Sequence, residues 1–214
     1  MVLGNDPYKW KGLDRIFQVK RIETIIENLK GDSFLEIGCG EGYIIGRIKR
    51  MKPNARCVGL SNNPIEIKEA KICHPSVEFI CIDVYDYEPA EKFDTVILPE
   101  VIEHLDDPKK ILAKARQIAK KRIIITVPNK NKIENEGHVQ IYNKERLERH
   151  IKEAINPKSF KILPVAKDWY YLRRNPLSRI VLGRLLWYLR MDGLFKLNAN
   201  YENALFLVAI IDVE

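Results

Sequence analysis

FLEIGCGEGYI, residues 34–44, joins an apolar run to three glycines that alternate with Cys39 and Glu41. An amphipathic segment begins at once after Gly42, so the stretch reads as a buried strand turning directly into a helix. Glycines in such a turn permit positive φ and let the backbone approach a bound molecule closely. Amides at the start of the following helix can donate to a polar or anionic ligand group. A dinucleotide fingerprint needs GxGxxG, whereas the spacing here is GxGxG with Tyr43 in the next place. Glu36, two residues before the first glycine, would repel a pyrophosphate and suits a ligand that carries cationic groups.

Outward from this loop, apolar runs alternate with amphipathic stretches. Helical spacing precedes it over 13–29, and strands are expected at 33–38, 56–60, 77–82, 93–98, 122–127, 160–166 and 204–211. Helices are expected at about 42–50, from Pro64 with Asn63 as N-cap, over 108–119, and over 144–154 with Asn143 as N-cap. Near-continuous apolar strands alternating with helices predict an α/β fold. The sheet is expected to be doubly wound, seven-stranded and mostly parallel, with helices on both faces. Strand carboxyl ends would then line one edge, where ligands bind.

The length of 214 residues suits one domain over 1–214, with an N-terminal helical segment at 1–30 and a lid-like helical insert at 168–203. No apolar run is long enough to span a membrane and the N-terminus has no secretory pattern, so a cytoplasmic location is expected. Cys39, Cys57, Cys73 and Cys81 form no CxxC pair and read as reduced thiols, mostly small core residues. The formal net charge is +7. The seven Lys/Arg of 109–122 are expected on a solvated helix face and its exit, and a second basic stretch covers 167–196.

At the glycine loop the chain resembles class I S-adenosylmethionine-dependent methyltransferases, over roughly 13–166 and the final strand. The resemblance implies a Rossmann-like fold and S-adenosyl-L-methionine as cofactor, held by Glu36, Gly38, Cys39, Gly40 and Gly42. It places Asp83 and Val84, in CIDVYD, beside the adenine, and Leu98-Pro99-Glu100 over the methionine end. That family usually ends its second strand on an acid that binds both ribose hydroxyls; here Ser61 stands in that place, with Asn62 next to it. Either can bond one hydroxyl, and Ser61→Asp is expected to tighten cofactor binding by supplying a charged acceptor. Glu100-x-x-Glu103-His104 and Gly137-His138 are similar to a small-molecule subgroup that includes ubiquinone-biosynthesis O-methyltransferases. The segment KRIETII resembles theirs as well, which implies that Arg21 meets the cofactor carboxylate.

Methyl transfer needs alignment, exclusion of water and, for a hydroxyl acceptor, a base near neutrality. His138 is the first candidate for that base, with His104 orienting it or sharing a proton. Glu100, Glu103 and His104 offer an alternative role as ligands of a divalent ion, although no metal is the expectation. His74 and His150 are assigned nothing. The acceptor is expected to be a small molecule or a lipid-like one. Arg173, Arg174, Arg179, Arg184 and Arg190 in the insert allow peripheral contact with an anionic membrane. Nucleic acid is the weaker alternative, since no RNA-binding module is recognisable and Leu98-Pro99-Glu100-Val101 stands where amino-methylating enzymes carry an NPPY-like motif. Methylation of a protein and a non-catalytic, cofactor-binding scaffold are further alternatives.

Overall fold

The computed structural model describes residues 13–130, 137–167 and 199–214. Seven strands form one sheet in the order β3-β2-β1-β4-β5-β7-β6. In chain order the elements are α1 (Leu13–Glu27), β1 (Ser33–Ile37), α2 (Tyr43–Met51), β2 (Arg56–Ser61), α3 (Pro64–Cys73), β3 (Glu78–Cys81) and β4 (Phe93–Pro99). A single 3₁₀ turn (Ile102–His104) leads to α4 (Pro108–Ile118), β5 (Ala119–Pro128), α5 (Lys144–Ile155), β6 (Ser159–Lys167) and β7 (Ala204–Asp212). The strands β1 to β5 are parallel, and β7 runs antiparallel between β5 and β6. The expected mostly parallel, doubly wound sheet is therefore present, with an antiparallel pair of ladders at one end.

Alternation of side chains along the strands divides the core into two layers. Phe34, Ile97, Ile124, Val208 and Ile210 face the layer of α1, α2 and α3. Leu35, Val96, Ile123, Ile125, Ala209 and Ile211 face that of α4 and α5. Helix starts follow local chemistry. Asn63 accepts from the Ile65 amide, Asp107 from Lys109 and Asn143 from Arg146, and proline follows the first two caps. At its end α5 passes into Asn156, which sits left-handed at φ 46°.

Three expectations change in detail. Cys39 and Cys57 are buried, but Cys73 and Cys81 are exposed, so two of the four thiols are surface groups. The basic run at 109–122 is not simply solvated. Lys114 is buried against Glu88 (2.6 Å), while Lys121 reaches Asp94 and Arg122 reaches Asp212, each at 2.8 Å. Strand β5 begins at Ala119, earlier than expected, because Ala119 already pairs with Phe93 of β4; on the other side the Val213 amide bonds to the Lys121 carbonyl (3.0 Å). The helical insert expected at 168–203 lies outside the described residues through residue 198, its arginines included, as do residues 1–12 and 131–136. Among the described residues no helix is long and apolar enough to cross a membrane.

Asp94 ties the start of β4 to the turn before β1 and to β5. Its Oδ2 accepts the Asp32 amide (3.0 Å) and its Oδ1 meets the Lys121 ammonium (2.8 Å). Burial raises its pKa, but these partners outweigh burial and hold it down at about 2, against an ordinary 3.8. A depressed folded value means stabilisation that is complete above the unfolded value and is lost as pH falls through the folded one. Asp94→Asn should therefore cost about 1–2 kcal/mol at neutral pH. In urea unfolding followed down the pH scale, the difference from wild type should shrink towards zero near pH 2. A deficit that persists undiminished at that pH would mean the charge is not what stabilises the turn.

Candidate active site

The loop after β1 is pinned to the next strand. The Gly38 and Cys39 amides both donate to the Leu60 carbonyl at 2.9 Å. Gly38, Gly40 and Gly42 all have positive φ, at 72°, 52° and 77°. Their surroundings differ. A Cβ on Gly42 would lie 2.4 Å from Phe79 Cζ, and one on Gly38 would lie 2.7 Å from Val101 Cγ2. A Cβ on Gly40 would meet nothing within 4 Å. Gly38 and Gly42 thus answer to packing, whereas Gly40 borders open space at the carboxyl edge of the sheet. Cys39 between them is buried, and burial together with the Glu36 and Glu66 carboxylates pushes its thiol upward, which makes it a poor nucleophile.

Glu36 is fully buried beneath this loop. Its Oε2 accepts the Ile45 amide (2.9 Å) in the first turn of α2, so the carboxylate anchors the helix as well as facing the loop. Oε1 has no hydrogen-bond partner among the described residues. Burial pushes the carboxyl up to about 8 against the opposing effects of the Ile45 amide and Arg21.

Arg21 of α1 is fully buried too. It donates from Nη1 to Thr126 Oγ1 (3.0 Å) and from Nε to Gln18 Oε1 (2.8 Å), pairs with Glu100 Oε1 at 3.7 Å, and lies over the Phe206 ring at 5.4 Å. It therefore links α1 to β5, to β7 and to the end of β4. A bound carboxylate would have to share the guanidinium with Glu100. That residue has left-handed φ, 58°, which turns the chain sharply after Pro99. Burial raises the Glu100 carboxyl, with Arg21, Thr126 and His104 opposing.

The ends of β2 and β3 lie side by side, the Ile82 amide donating to the Ser61 carbonyl at 3.0 Å. Asp83 is exposed there and accepts the Tyr85 amide (3.0 Å), and Val84 is half-buried. Ser61 is buried and Asn62 exposed. Ser61 Oγ donates to Glu66 Oε2 (2.8 Å) and accepts the Asn63 amide (3.1 Å). Glu66, in the first turn of α3, was not among the residues singled out from sequence. Its signal was present in Asn63-Pro64-Ile65-Glu66, where a capping pattern puts an acid at the third helical position. The same contact alters the expectation for Ser61→Asp, because a second carboxylate would be forced against Glu66.

Two segments far apart in sequence meet beyond β4. The Glu103 carbonyl accepts both the Val139 and Gln140 amides (2.9 Å each), and His104 Nδ1 bonds the Gly137 carbonyl (2.8 Å). The rings of His104 and His138 come to 4.9 Å between centroids, inclined at 59°. Glu103 is buried, and neither of its carboxylate oxygens has a partner among the described residues. Burial and then the neighbouring Glu100 push its carboxyl well above the usual range. Ligand atoms of Glu103, His104 and His138 lie within 4.8 Å of one another, so this trio can hold a cation, whereas the set weighed from sequence had Glu100 in place of His138. His74 instead packs on Gly46 of α2, and His150 bonds the buried Tyr142 hydroxyl (3.1 Å).

Known proteins share this fold. A Methyltransferase domain family model matches residues 28–174. The ubiquinone biosynthesis O-methyltransferase of Rhodopseudomonas palustris (strain BisB5) is 31% identical over 108 residues, 49% of this chain and 42% of that protein. The chain thus spans less than half the length of this curated relative. A SAM-dependent methyltransferase from Archaeoglobus fulgidus superimposes with a TM-score of 0.64 at 19% identity, covering 90% of this chain and 91% of that one. The plantazolicin methyltransferase BpumL in complex with SAH superimposes at 0.60 and 17% identity, covering 93% and 82%. With the family model covering most of its length and the fold shared with these structures, the chain belongs to the methyltransferase domain family.

Proposed function

We propose that the protein is an S-adenosyl-L-methionine-dependent methyltransferase, a single catalytic domain over 1–214 that methylates a hydroxyl oxygen of a small or lipid-like molecule. The observation that carries the proposal is the open space over left-handed Gly40, beside the buried carboxylate of Glu36 and on the same sheet edge as the His104–His138 pair. The ubiquinone-biosynthesis relative and the SAH-bound neighbour support the acceptor class and the cofactor.

In this reading Gly38, Cys39, Gly40, Gly42 and the free oxygen of Glu36 receive the methionine and ribose portions, with Pro99 closing over them. Arg21 would face the carboxylate, Ser61 and Asn62 the ribose, and Asp83 and Val84 the adenine. Bound there, the cofactor supplies a methyl group activated by its sulfonium, so that transfer forms an oxygen–carbon bond and breaks a sulfur–carbon bond. The chain's part is alignment and proton removal. A ring nitrogen of His138 takes the acceptor's hydroxyl proton. His104, fixed by the Gly137 carbonyl, keeps the His138 loop against the site.

A second reading gives Glu103, His104 and His138 to a divalent ion that would bind and polarise the acceptor oxygen. Chelation separates the two: EDTA should leave activity unchanged under the histidine-base reading, and should abolish it, with rescue by added Mg²⁺ or Zn²⁺, under the metal reading.

Calorimetry with S-adenosylhomocysteine tests the cofactor site. Gly40→Val should lose binding by more than about tenfold while unfolding cooperatively, at a left-handed strain cost of about 1–2 kcal/mol. Gly42→Val, which drives a side chain into Phe79, should fail to fold. Unchanged affinity in Gly40→Val would overturn the site. For the acceptor side, His138→Ala should lower kcat towards a phenolic acceptor by roughly 10²–10⁴-fold and leave the S-adenosylhomocysteine Kd within about twofold. Equal loss in Kd would give His138 a binding role instead.

A further inference from the structure

Strand β2 ends on a hydroxyl, yet a carboxylate stands beside it. Glu66 Oε2 accepts the Ser61 hydroxyl at 2.8 Å, and Ser61 Oγ in turn accepts the Asn63 amide at 3.1 Å. The geometry points to Glu66, delivered by α3 through Ser61, as the acid that binds the vicinal diol of an adenosyl ligand in the glycine loop. This rests on the cofactor reading above.

The position of Glu66 follows from its helix. Ala70, one turn further along the same face, packs near Gly42, whose added Cβ would lie 3.3 Å from Ala70 Cβ. The face of α3 that carries Glu66 is thus the one turned to the loop. Ser61 follows Leu60, whose carbonyl holds the Gly38 and Cys39 amides. The charge on Glu66 also reaches Cys39, where it adds to burial and Glu36 in raising the thiol. Glu66 is half-buried, between two exposed neighbours on one side and buried Ile67 on the other.

A helix-capping role alone predicts a different arrangement. In a capping box the acid at the third helical position bonds back to the amide of the N-cap residue. Here that amide, of Asn63, is taken by Ser61 Oγ, and the Glu66 carboxylate is drawn towards the end of β2 instead. An ionised carboxylate accepts up to about four hydrogen bonds, so one bond from Ser61 leaves capacity for two hydroxyls. Ser61 then fixes the rotamer of the acid, a positioning task for which a short hydroxyl suffices.

The test is a cycle of two proteins and two ligands: wild type and Glu66→Gln against S-adenosylhomocysteine and its 2′,3′-dideoxy analogue, read by calorimetry, with thermal unfolding of each protein alongside. A charged acceptor lost to two hydroxyls should weaken S-adenosylhomocysteine about ten- to hundredfold. The dideoxy analogue should change by less than about twofold. In addition, Ser61→Asp should weaken S-adenosylhomocysteine, and the exchange Ser61→Asp with Glu66→Gln should restore it, because one carboxylate then stands in the site. If Glu66→Gln loses both ligands equally, or neither, while wild type binds S-adenosylhomocysteine, the acid is only a helix residue and this assignment falls. If wild type binds neither ligand, the cofactor reading falls and the assignment with it.

Discussion

Two amides, those of Gly38 and Cys39, converge on the carbonyl of Leu60, and the geometry of the whole carboxyl edge depends on that convergence. It holds the chain against β2 just as it leaves β1, so the path into α2 must be made in a few residues at left-handed φ. Only then can the Ile45 amide reach Glu36 beneath the loop, and only then does Phe79 of β3 find room against Gly42. Strand spacing, helix start and open space over Gly40 are consequences of one tight reversal.

Beneath that edge lies an uneven balance of charge. Among the described residues, Glu36 and Glu103 are buried and Glu100 half-buried around one guanidinium, that of Arg21, which pairs directly with Glu100. Burial favours the neutral form of each carboxyl, and one arginine does not compensate three. Carboxylate oxygens of Glu36 and Glu103 that find no partner among the described residues express the same deficit in hydrogen bonds. Such groups are costly to a folded core and are held in place by the packing around them. An arrangement of this kind favours an incoming cationic group over an anionic one, in keeping with a sulfonium- and ammonium-bearing ligand.

Legibility in the sequence followed the range of the interactions. The glycine spacing, the Asn63 and Asn143 caps and the apolar strand runs are local, and each element they imply is present. The meeting of Glu103 and His104 with Gly137 and His138 was readable only through resemblance, since its cause is a pair of amides donating to one distant carbonyl. Glu66 has no mark at the end of β2 itself, because the acid arrives from the next helix by way of a serine hydroxyl. Burial of Lys114 was equally hidden. A basic stripe at helical spacing does not disclose that Glu88 will cover one of its members. The antiparallel course of β7 also has no mark in ALFLVAII, whose apolar run suits either direction.

That course has a consequence for how the chain is made. Strand β6 bonds to β7 and not to β5, although β5 precedes it in sequence. While β7 is still within or just outside the ribosome, β5 and β6 both present open edges, that of β5 carrying Ile123, Ile124, Ile125 and Val127. Open edges of this kind template association between chains. The nascent protein therefore passes through an interval in which its sheet is nearly built but its last gap is open. Insertion of β7 ends that interval, so the rate at which this one strand is delivered would govern how much newly made protein escapes aggregation.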